Sequence, residues 1–102
     1  MRRRVEVLPR AASQIRTIAA WWVENRPTAP ELFVEELDRA LDRIAVTPQA
    51  GSLYARSRHR GIRRVHLGRS GFHVYYSVSD LERLISVRAV WHAARGRGPA
   101  LK

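Results

Sequence analysis

Hydrophobic and polar residues alternate along three consecutive segments between Gly61 and His92. Alternation with a period of two is typical of β-strands that bury one face. Short turn sequences rich in glycine and serine separate the segments, as in hairpins. The pattern therefore predicts a three-stranded antiparallel meander with strands at Ile62 to Leu67, Phe72 to Ser79 and Leu84 to Trp91.

The same alternation divides the side chains of the meander between two faces. The predicted buried face contains Val65, Leu67, Phe72, Val74, Tyr76, Val78, Ile85, Val87, Ala89 and Trp91. The opposite, polar face receives Arg64, His66, His73, Tyr75, Arg88 and His92. Three of the four histidines are thus expected on one face.

The first half of the chain predicts a strand and two helices. Val5 and Val7 alternate with charged residues in a short strand that Pro9 ends, and the pattern leaves its place in the sheet open. A helix is predicted from Ala11 to Asn25 because apolar residues recur at helical spacing. Its stripe consists of Ile15, Ile18, Ala19 and Trp22, and Trp21 lies off that stripe.

The second helix is predicted to begin at Thr28-Ala29-Pro30-Glu31, which has the spacing of a capping box. Its apolar stripe consists of Phe33, Leu37, Ala40, Leu41 and Ile44, and its predicted solvated side of Glu31, Glu35, Glu36, Asp38 and Asp42. Pro48 and Gly51 end it, and the basic run from Ser52 to Arg60 is predicted to be an irregular loop. Residues 92–102 are predicted to form an irregular tail.

These elements predict an α+β fold in which an N-terminal strand and a helical hairpin pack on the three-stranded antiparallel meander. A length of 102 residues suits one domain, spanning residues 1–102. The chain has no cysteine, which excludes disulfides and thiolate metal sites. No apolar run approaches the length of a membrane span, and we expect a cytoplasmic protein without membrane contact.

The net charge of +10 is concentrated in the meander half of the chain. Residues 55–102 contain eleven basic and two acidic side chains, whereas residues 1–54 contain eight basic and seven acidic ones. All but one of the basic residues are arginine, which binds phosphates and carboxylates bidentately. This one-sided charge favours a polyanionic partner, either nucleic acid or an acidic protein segment, over a role in solubility alone.

Four short sequence motifs at the junctions between these elements, taken in their order and spacing, resemble those of the RelE/ParE superfamily of bacterial type II toxins. They are Pro48 with Gly51, Gly61-Ile62-Arg63-Arg64, Gly71-Phe72-His73-Val74-Tyr75-Tyr76, and Val90-Trp91-His92-Ala93-Ala94-Arg95. The resemblance covers nearly the whole chain. It implies a toxin neutralised by a cognate antitoxin, with contact to DNA only indirectly, through the antitoxin.

The resemblance implies two alternative targets. RelE-like members cleave messenger RNA on the ribosome with basic residues of the outer sheet face and a C-terminal acid–base group, whereas ParE-like members poison DNA gyrase. Here His73 replaces an arginine of RelE, Arg64 and His66 replace lysines, and no tyrosine follows Arg88. His92 is the candidate substitute for that tyrosine or, equally, a structural feature of the superfamily.

We predict a ParE-like toxin that inhibits gyrase by binding, and a ribosome-dependent endoribonuclease is the alternative. Only the alternative makes the protein an enzyme, because RNA cleavage needs a base, an acid and a cation at the phosphorane. The candidate catalytic residues are His66, His73, His92, Arg64 and Arg88, and the candidate partner-binding residues are Trp21, Arg64, Arg88, Arg95 and Arg97. A DNA-binding regulator is disfavoured because neither helix is basic. No cofactor and no metal are expected, since the polar face has no acidic residue to complete a site.

Overall fold

The computed structural model of the chain describes residues 2–54, 61–95 and 99. Its regular elements are β1 (Arg4–Val7), α1 (Pro9–Asn25), α2 (Leu32–Val46), a 3₁₀ helix (Pro48–Ala50), β2 (Ser52–Leu53), β3 (Arg63–His66), β4 (Phe72–Ser79), β5 (Leu84–His92) and a second 3₁₀ helix (Ala93–Arg95). This is the predicted α+β fold, and the bounds of β4 are those predicted. The start of the tail is more regular than expected, because it forms the second 3₁₀ helix.

Within the described residues, one five-stranded sheet has the order β1-β5-β4-β3-β2. The meander supplies its three antiparallel central strands, and β1 pairs in parallel with β5. The start of the predicted loop is instead a strand, because Ser52 and Leu53 pair with Arg64 and Arg63. Residues 55–60 of that loop lie outside the described residues.

A β-bulge in β5 changes which side chains share a face. Tyr75 pairs with Ala89 and Tyr76 pairs with Val87, so Arg88 is an extra residue on its strand. Alternation beyond Arg88 is therefore shifted by one position. The predicted buried face was wrong for Ala89 and Trp91, which lie on the opposite face. Val90 takes their place beside the helices.

Both helices place their predicted stripes against the sheet. The inner core contains Trp22 from α1 and Phe33, Leu37 and Ile44 from α2, all at most 7% exposed. Glu36 of the predicted solvated side is instead half-buried and accepts hydrogen bonds from the turn between β3 and β4. We call the helix-covered side of the sheet the inner face and the other side the outer face.

The predicted start of the second helix was wrong. Thr28 belongs to a turn in which backbone bonds join Ala29 to Arg26 and Leu32 to Ala29. The helix begins at Leu32 with Glu31 at the N-cap, and no side chain caps it. The first helix begins at Pro9, earlier than predicted, because proline suits the first helical turn.

The hydroxyl of Tyr76 binds the segment after α2, from Pro48 to Gly51, to the inner face of the sheet. Its hydroxyl donates to the carbonyl of Pro48 at 2.6 Å and accepts the amide of Gly51 at 2.9 Å. A Cβ at position 51 would lie 2.5 Å from that oxygen, so only glycine fits there. The occurrence of Pro48 and Gly51 three residues apart thus reflects their two buried hydrogen bonds with the Tyr76 hydroxyl. Neither helix of the described chain is long and apolar enough to cross a membrane.

Candidate functional site

The outer face contains a pair of histidines on adjacent strands. His66 of β3 is opposite His73 of β4, and their ring centroids are 5.1 Å apart in an edge-to-face arrangement. Arg64 is two residues before His66 and therefore shares its face. The structure thus brings together three of the five predicted catalytic residues.

His92 does not join this pair. It is opposite Phe72, and the two ring centroids are 4.9 Å apart. Phe72 packs against the inner core, so His92 lies on the inner side at the end of the sheet. The prediction that three histidines share one face was wrong because the bulge at Arg88 reverses the alternation before His92.

The sequence at the end of β5 determines the orientation of His92. The amide of Ala94 donates to Nδ1 at 3.1 Å, which leaves Nε2 as the protonated nitrogen of the neutral ring. A Cβ on Gly71 would lie 3.1 Å from Nε2, and Gly71 has a φ of +84°, a region that glycine favours. Gly71 therefore allows both the turn and the close approach of the imidazole.

The predicted arginines differ in their surroundings. Arg88 is half-buried on the outer face, where its Nε donates to the hydroxyl of Ser77 at 2.8 Å. The guanidinium of Arg64 lies 5.3 Å from the ring centroid of Tyr54, within range of a cation–π interaction. Arg97 and the side chain of Arg95 lie outside the described residues.

Sequence reasoning missed an aromatic cluster on the outer face. Tyr75, predicted on a polar face, is 1% exposed and packs with Ile62 and Ala89. Tyr54 and Trp91 pack against these residues, and the rings of Tyr54 and Tyr75 are 4.9 Å apart. Tyr75 alternates with His73 and Ser77 on this face, and its large apolar ring was the signal in the sequence that part of the face is buried.

Burial and neighbouring positive charge favour the neutral form of His73. Partial burial lowers the pKa of His73 below the ordinary 6.5, and Arg64, His66 and His92 lower that pKa further. A neutral imidazole can accept a proton and cannot serve as the cation of a phosphorane site. Within the described residues, no group of three or more histidine or acidic side chains can hold a metal ion.

The two adjacent tryptophans of α1 have different environments, as the helical phase predicted. Trp22 is 7% exposed in the inner core, whereas Trp21 is 46% exposed. The guanidinium of Arg26 lies 4.8 Å from the ring centroid of Trp21. The indole Nε1 of Trp22 is buried without a hydrogen-bond partner in the described chain, which is uncommon for a buried donor.

Comparisons with known proteins agree with this architecture. Residues 5–96 match the model of the family described as "ParE toxin of type II toxin-antitoxin system, parDE". A search of curated protein sequences finds no significant match.

The fold is similar to solved structures of both branches of the superfamily. The chromosomal ParDE toxin–antitoxin system of P. aeruginosa has a TM-score of 0.67 at 17% identity, covering 88% of this chain and 95% of that one. A free double mutant of the E. coli toxin RelE has a TM-score of 0.63 at 21% identity, covering 94% and 90%. The E. coli RelBE toxin–antitoxin complex has a TM-score of 0.62 at 21% identity, covering 91% and 99%.

Because the family model matches most of the chain, and the fold is that of RelE and ParE, the protein belongs to the ParE toxin family of type II toxin–antitoxin systems, within the RelE/ParE superfamily.

Proposed function

We propose that this toxin arrests growth by binding and inhibiting DNA gyrase. The observation that carries the proposal is that His92 packs against Phe72 on the inner side of the sheet, whereas His66 and His73 form a pair on the outer face. An RNA-cleaving site needs its acid, base and cation around one phosphate. Here one candidate, His92, lies on the opposite side of the sheet from the others.

The outer face supplies features of a binding surface. Arginine, tyrosine and tryptophan are the residues that contribute most at protein interfaces. Arg64 and Arg88 lie at this face with Tyr54 and Trp91, both of which are partly buried in its aromatic cluster. We propose that Arg64 and Arg88 contact the target, and that residues 1–102 act as one toxin domain in the cytoplasm. Contacts of Arg95 and Arg97 stay predictions.

Gyrase and ribosome assays test the target directly. Wild-type toxin should inhibit DNA supercoiling by gyrase and should leave messenger RNA intact on programmed ribosomes. The decisive variant is His66→Gln/His73→Gln/His92→Gln, because glutamine keeps hydrogen bonding but cannot exchange a proton near neutral pH. Growth arrest should survive in this variant.

Charge reversal provides the complementary test. Arg64→Glu/Arg88→Glu should abolish growth arrest, whereas Arg16→Glu/Arg43→Glu, which changes the same charge at exposed positions of the two helices, should not. Circular dichroism must show that each variant is folded. A folded triple-glutamine variant that is harmless to cells would overturn the gyrase proposal.

One observation favours the alternative of a ribosome-dependent endoribonuclease. His66 and His73 are close to each other and to Arg64, and the lowered pKa of His73 favours its neutral form, which can accept a proton. Under this alternative the His73→Gln variant alone should lose about 10²- to 10⁴-fold of its RNA cleavage rate on programmed ribosomes. Retention of full toxicity by His73→Gln would exclude it.

We also propose that a cognate antitoxin neutralises the toxin with an acidic and apolar segment. The exposed Trp21 offers an aromatic anchor, and the cationic half of the chain attracts acidic residues. The affinity of the pair should fall as salt rises, because ionic strength screens exposed charges. Titration calorimetry at low and physiological salt measures this, and a constant affinity would contradict the electrostatic part.

A further inference from the structure

His66 and His73 form a cross-strand pair at a position that brings their side chains close together. The amide of Leu67 donates to the carbonyl of Phe72, so the hydrogen bonds between β3 and β4 join the residues on either side of His66. His66 and His73 are therefore opposite each other at a pair without backbone hydrogen bonds, where side chains lie closest. Their ring centroids are 5.1 Å apart.

The spacing of the two imidazole rings suits a single metal ion between them. Imidazole nitrogen binds a zinc ion at about 2.0–2.1 Å, so two rings that bind one tetrahedral ion have centroids roughly 5 Å apart. The observed separation of 5.1 Å agrees with this value. Rotation of the two rings can therefore bring one nitrogen of each to the same ion without any movement of β3 or β4.

The nitrogens of both rings are available as ligands. No hydrogen bond joins the imidazole of His66 or His73 to another described residue, whereas Nδ1 of His92 accepts the amide of Ala94. His66 is exposed and His73 is half-buried, so ions in solution can reach the pair. The two paired strands hold both side chains in place before binding, which lowers the entropy cost of chelation.

The chemistry of the pair selects the class of ion. Mg²⁺ and Ca²⁺ need oxygen ligands, and no described acidic side chain joins the two histidines in a group of three possible ligands. Imidazole favours Cu²⁺, Ni²⁺ and Zn²⁺, and Cu²⁺ is the divalent ion of this series that binds a given nitrogen site most tightly. Water can fill the remaining coordination positions, so an exchangeable ion needs no acidic residue.

Arg64 opposes a cation at this position without excluding it. It shares the face of His66, and its guanidinium lies 5.3 Å from the ring centroid of Tyr54. Repulsion between charges at an exposed surface is weakened by water and by salt, whereas a bond from nitrogen to a metal ion is not. Arg64 should therefore lower the affinity for a metal ion by a small factor.

We propose that His66 and His73 together bind one divalent transition-metal ion through their imidazole nitrogens, with Cu²⁺ bound most tightly. The ion lies on the outer face beside Arg64, and water completes its coordination. This site depends neither on gyrase nor on the ribosome as the target, so its tests stand apart from those of the proposed function.

Calorimetric titration of the untagged toxin measures the affinity and the selectivity. The titrations use the chlorides of Cu²⁺, Ni²⁺, Zn²⁺ and Mg²⁺ at pH 7.5, because these metals bind the neutral imidazole. We expect one ion per toxin, with the affinity for Cu²⁺ higher than that for Ni²⁺ or Zn²⁺, and no binding of Mg²⁺. Absence of saturable Cu²⁺ binding, or equal binding of Mg²⁺, would overturn the proposal.

Single substitutions of the four histidines locate the ion. His66→Gln and His73→Gln should each weaken Cu²⁺ binding by about 10- to 100-fold or more, since the loss of a residue that only supports a ligand already has an effect of that size. His92→Gln, on the inner side, and His59→Gln, outside the described residues, are the matched controls and should keep the affinity. A loss in only one member of the pair, or an equal loss in either control, would overturn the assignment.

A readout on the wild-type toxin does not depend on the folding of any variant. Cu²⁺ is paramagnetic, so in NMR spectra of the ¹⁵N-labelled protein it should broaden the amide resonances of His66 and His73 first and leave the indole resonance of Trp21 on the first helix sharp. Arg64→Gln should tighten Cu²⁺ binding about 2- to 5-fold, because it removes a neighbouring positive charge. Broadening that begins at Trp21, or weaker binding by Arg64→Gln, would overturn the placement of the ion.

Discussion

The two faces of the sheet are built from the same strands and have opposite chemistry. The inner face presents aliphatic side chains such as Val74 and Val87, which the two helices cover. The outer face combines a buried tyrosine, Tyr75, with the cations and imidazoles of Arg64 and His73. The inner face therefore supplies stability, and the outer face is the surface that we propose for contact with the target. A single extra residue, Arg88, determines which side chains of β5 belong to each.

The largest expected difference separates the two tryptophans of α1. Trp22→Ala should lower the free energy of unfolding by about 3–5 kcal/mol, because a large aromatic side chain leaves the inner core. Trp21→Ala should cost less than about 1 kcal/mol, since Trp21 is 46% exposed. Denaturant unfolding of the isolated toxin measures both, and equal losses would contradict the assigned division of α1.

Adjacent tyrosines allow a matched test of the two faces. Tyr76→Phe should cost about 1–3 kcal/mol, because it leaves the buried amide of Gly51 unpaired and removes the bond to Pro48. Tyr75→Phe should cost less than about 0.5 kcal/mol, since its hydroxyl has no hydrogen bond within the described chain. Thermal and denaturant unfolding compare them, and a greater loss for Tyr75→Phe would reverse the roles of the two hydroxyls.

On the inner side, Glu36 makes stability sensitive to acid. Burial acts to raise the pKa of Glu36, but hydrogen bonds from Ser70 and Arg69 and the charge of Arg39 outweigh it and lower the pKa below 4.5. The stabilisation is therefore present above about pH 4.5 and lost as the pH falls through the lowered value. Glu36→Gln should cost about 1 kcal/mol at pH 7 and little at low pH. The exposed Glu35→Gln is the control, and a loss that persists in acid would contradict this origin.

On the outer face, His73 should respond in a higher pH window with the smallest effect. Its pKa is lowered in the folded protein, so the unfolded chain binds a proton more readily once the pH falls below about 6.5. Stability should decline from that pH downward, and His73→Gln should remove this part of the slope. An NMR titration of the imidazole measures the pKa directly, and a value above 6.5 would refute the assigned environment.

The sequence predicted the parts of the fold in which local pattern and packing agree. The bounds of β4 and the division between Trp21 and Trp22 followed from periodicity, because alternation and helical spacing reflect which side is buried. The pairing of β1 with β5 was not predictable in this way. It depends on contacts between segments that are far apart in the sequence, and a four-residue strand carries no signal for its partner.

The candidate site was predicted less well, for one physical reason. Strict alternation of inward and outward side chains between Val87 and Val90 predicts Ala89 on the inner face. Because alanine is small enough for either face, the sequence gives no sign that Ala89 lies on the outer one. The bulge resolves the pattern by adding Arg88, which moves His92 inward and Trp91 outward. The predicted capping box at Thr28 was also wrong. Backbone hydrogen bonds of the turn before α2 form in place of the side-chain bond predicted for Thr28.

The parallel pairing of β1 with β5 has a consequence for biosynthesis. Arg4 to Val7 leave the ribosome well before their partners, Leu84 to Val87, because the whole of the two helices and the meander's first two strands lies between them. Contacts that join distant parts of a chain form late and slow the folding of small domains. The nascent toxin therefore completes its sheet only after β5 has left the ribosome, and a chain that terminates before β5 has no partner for its first strand.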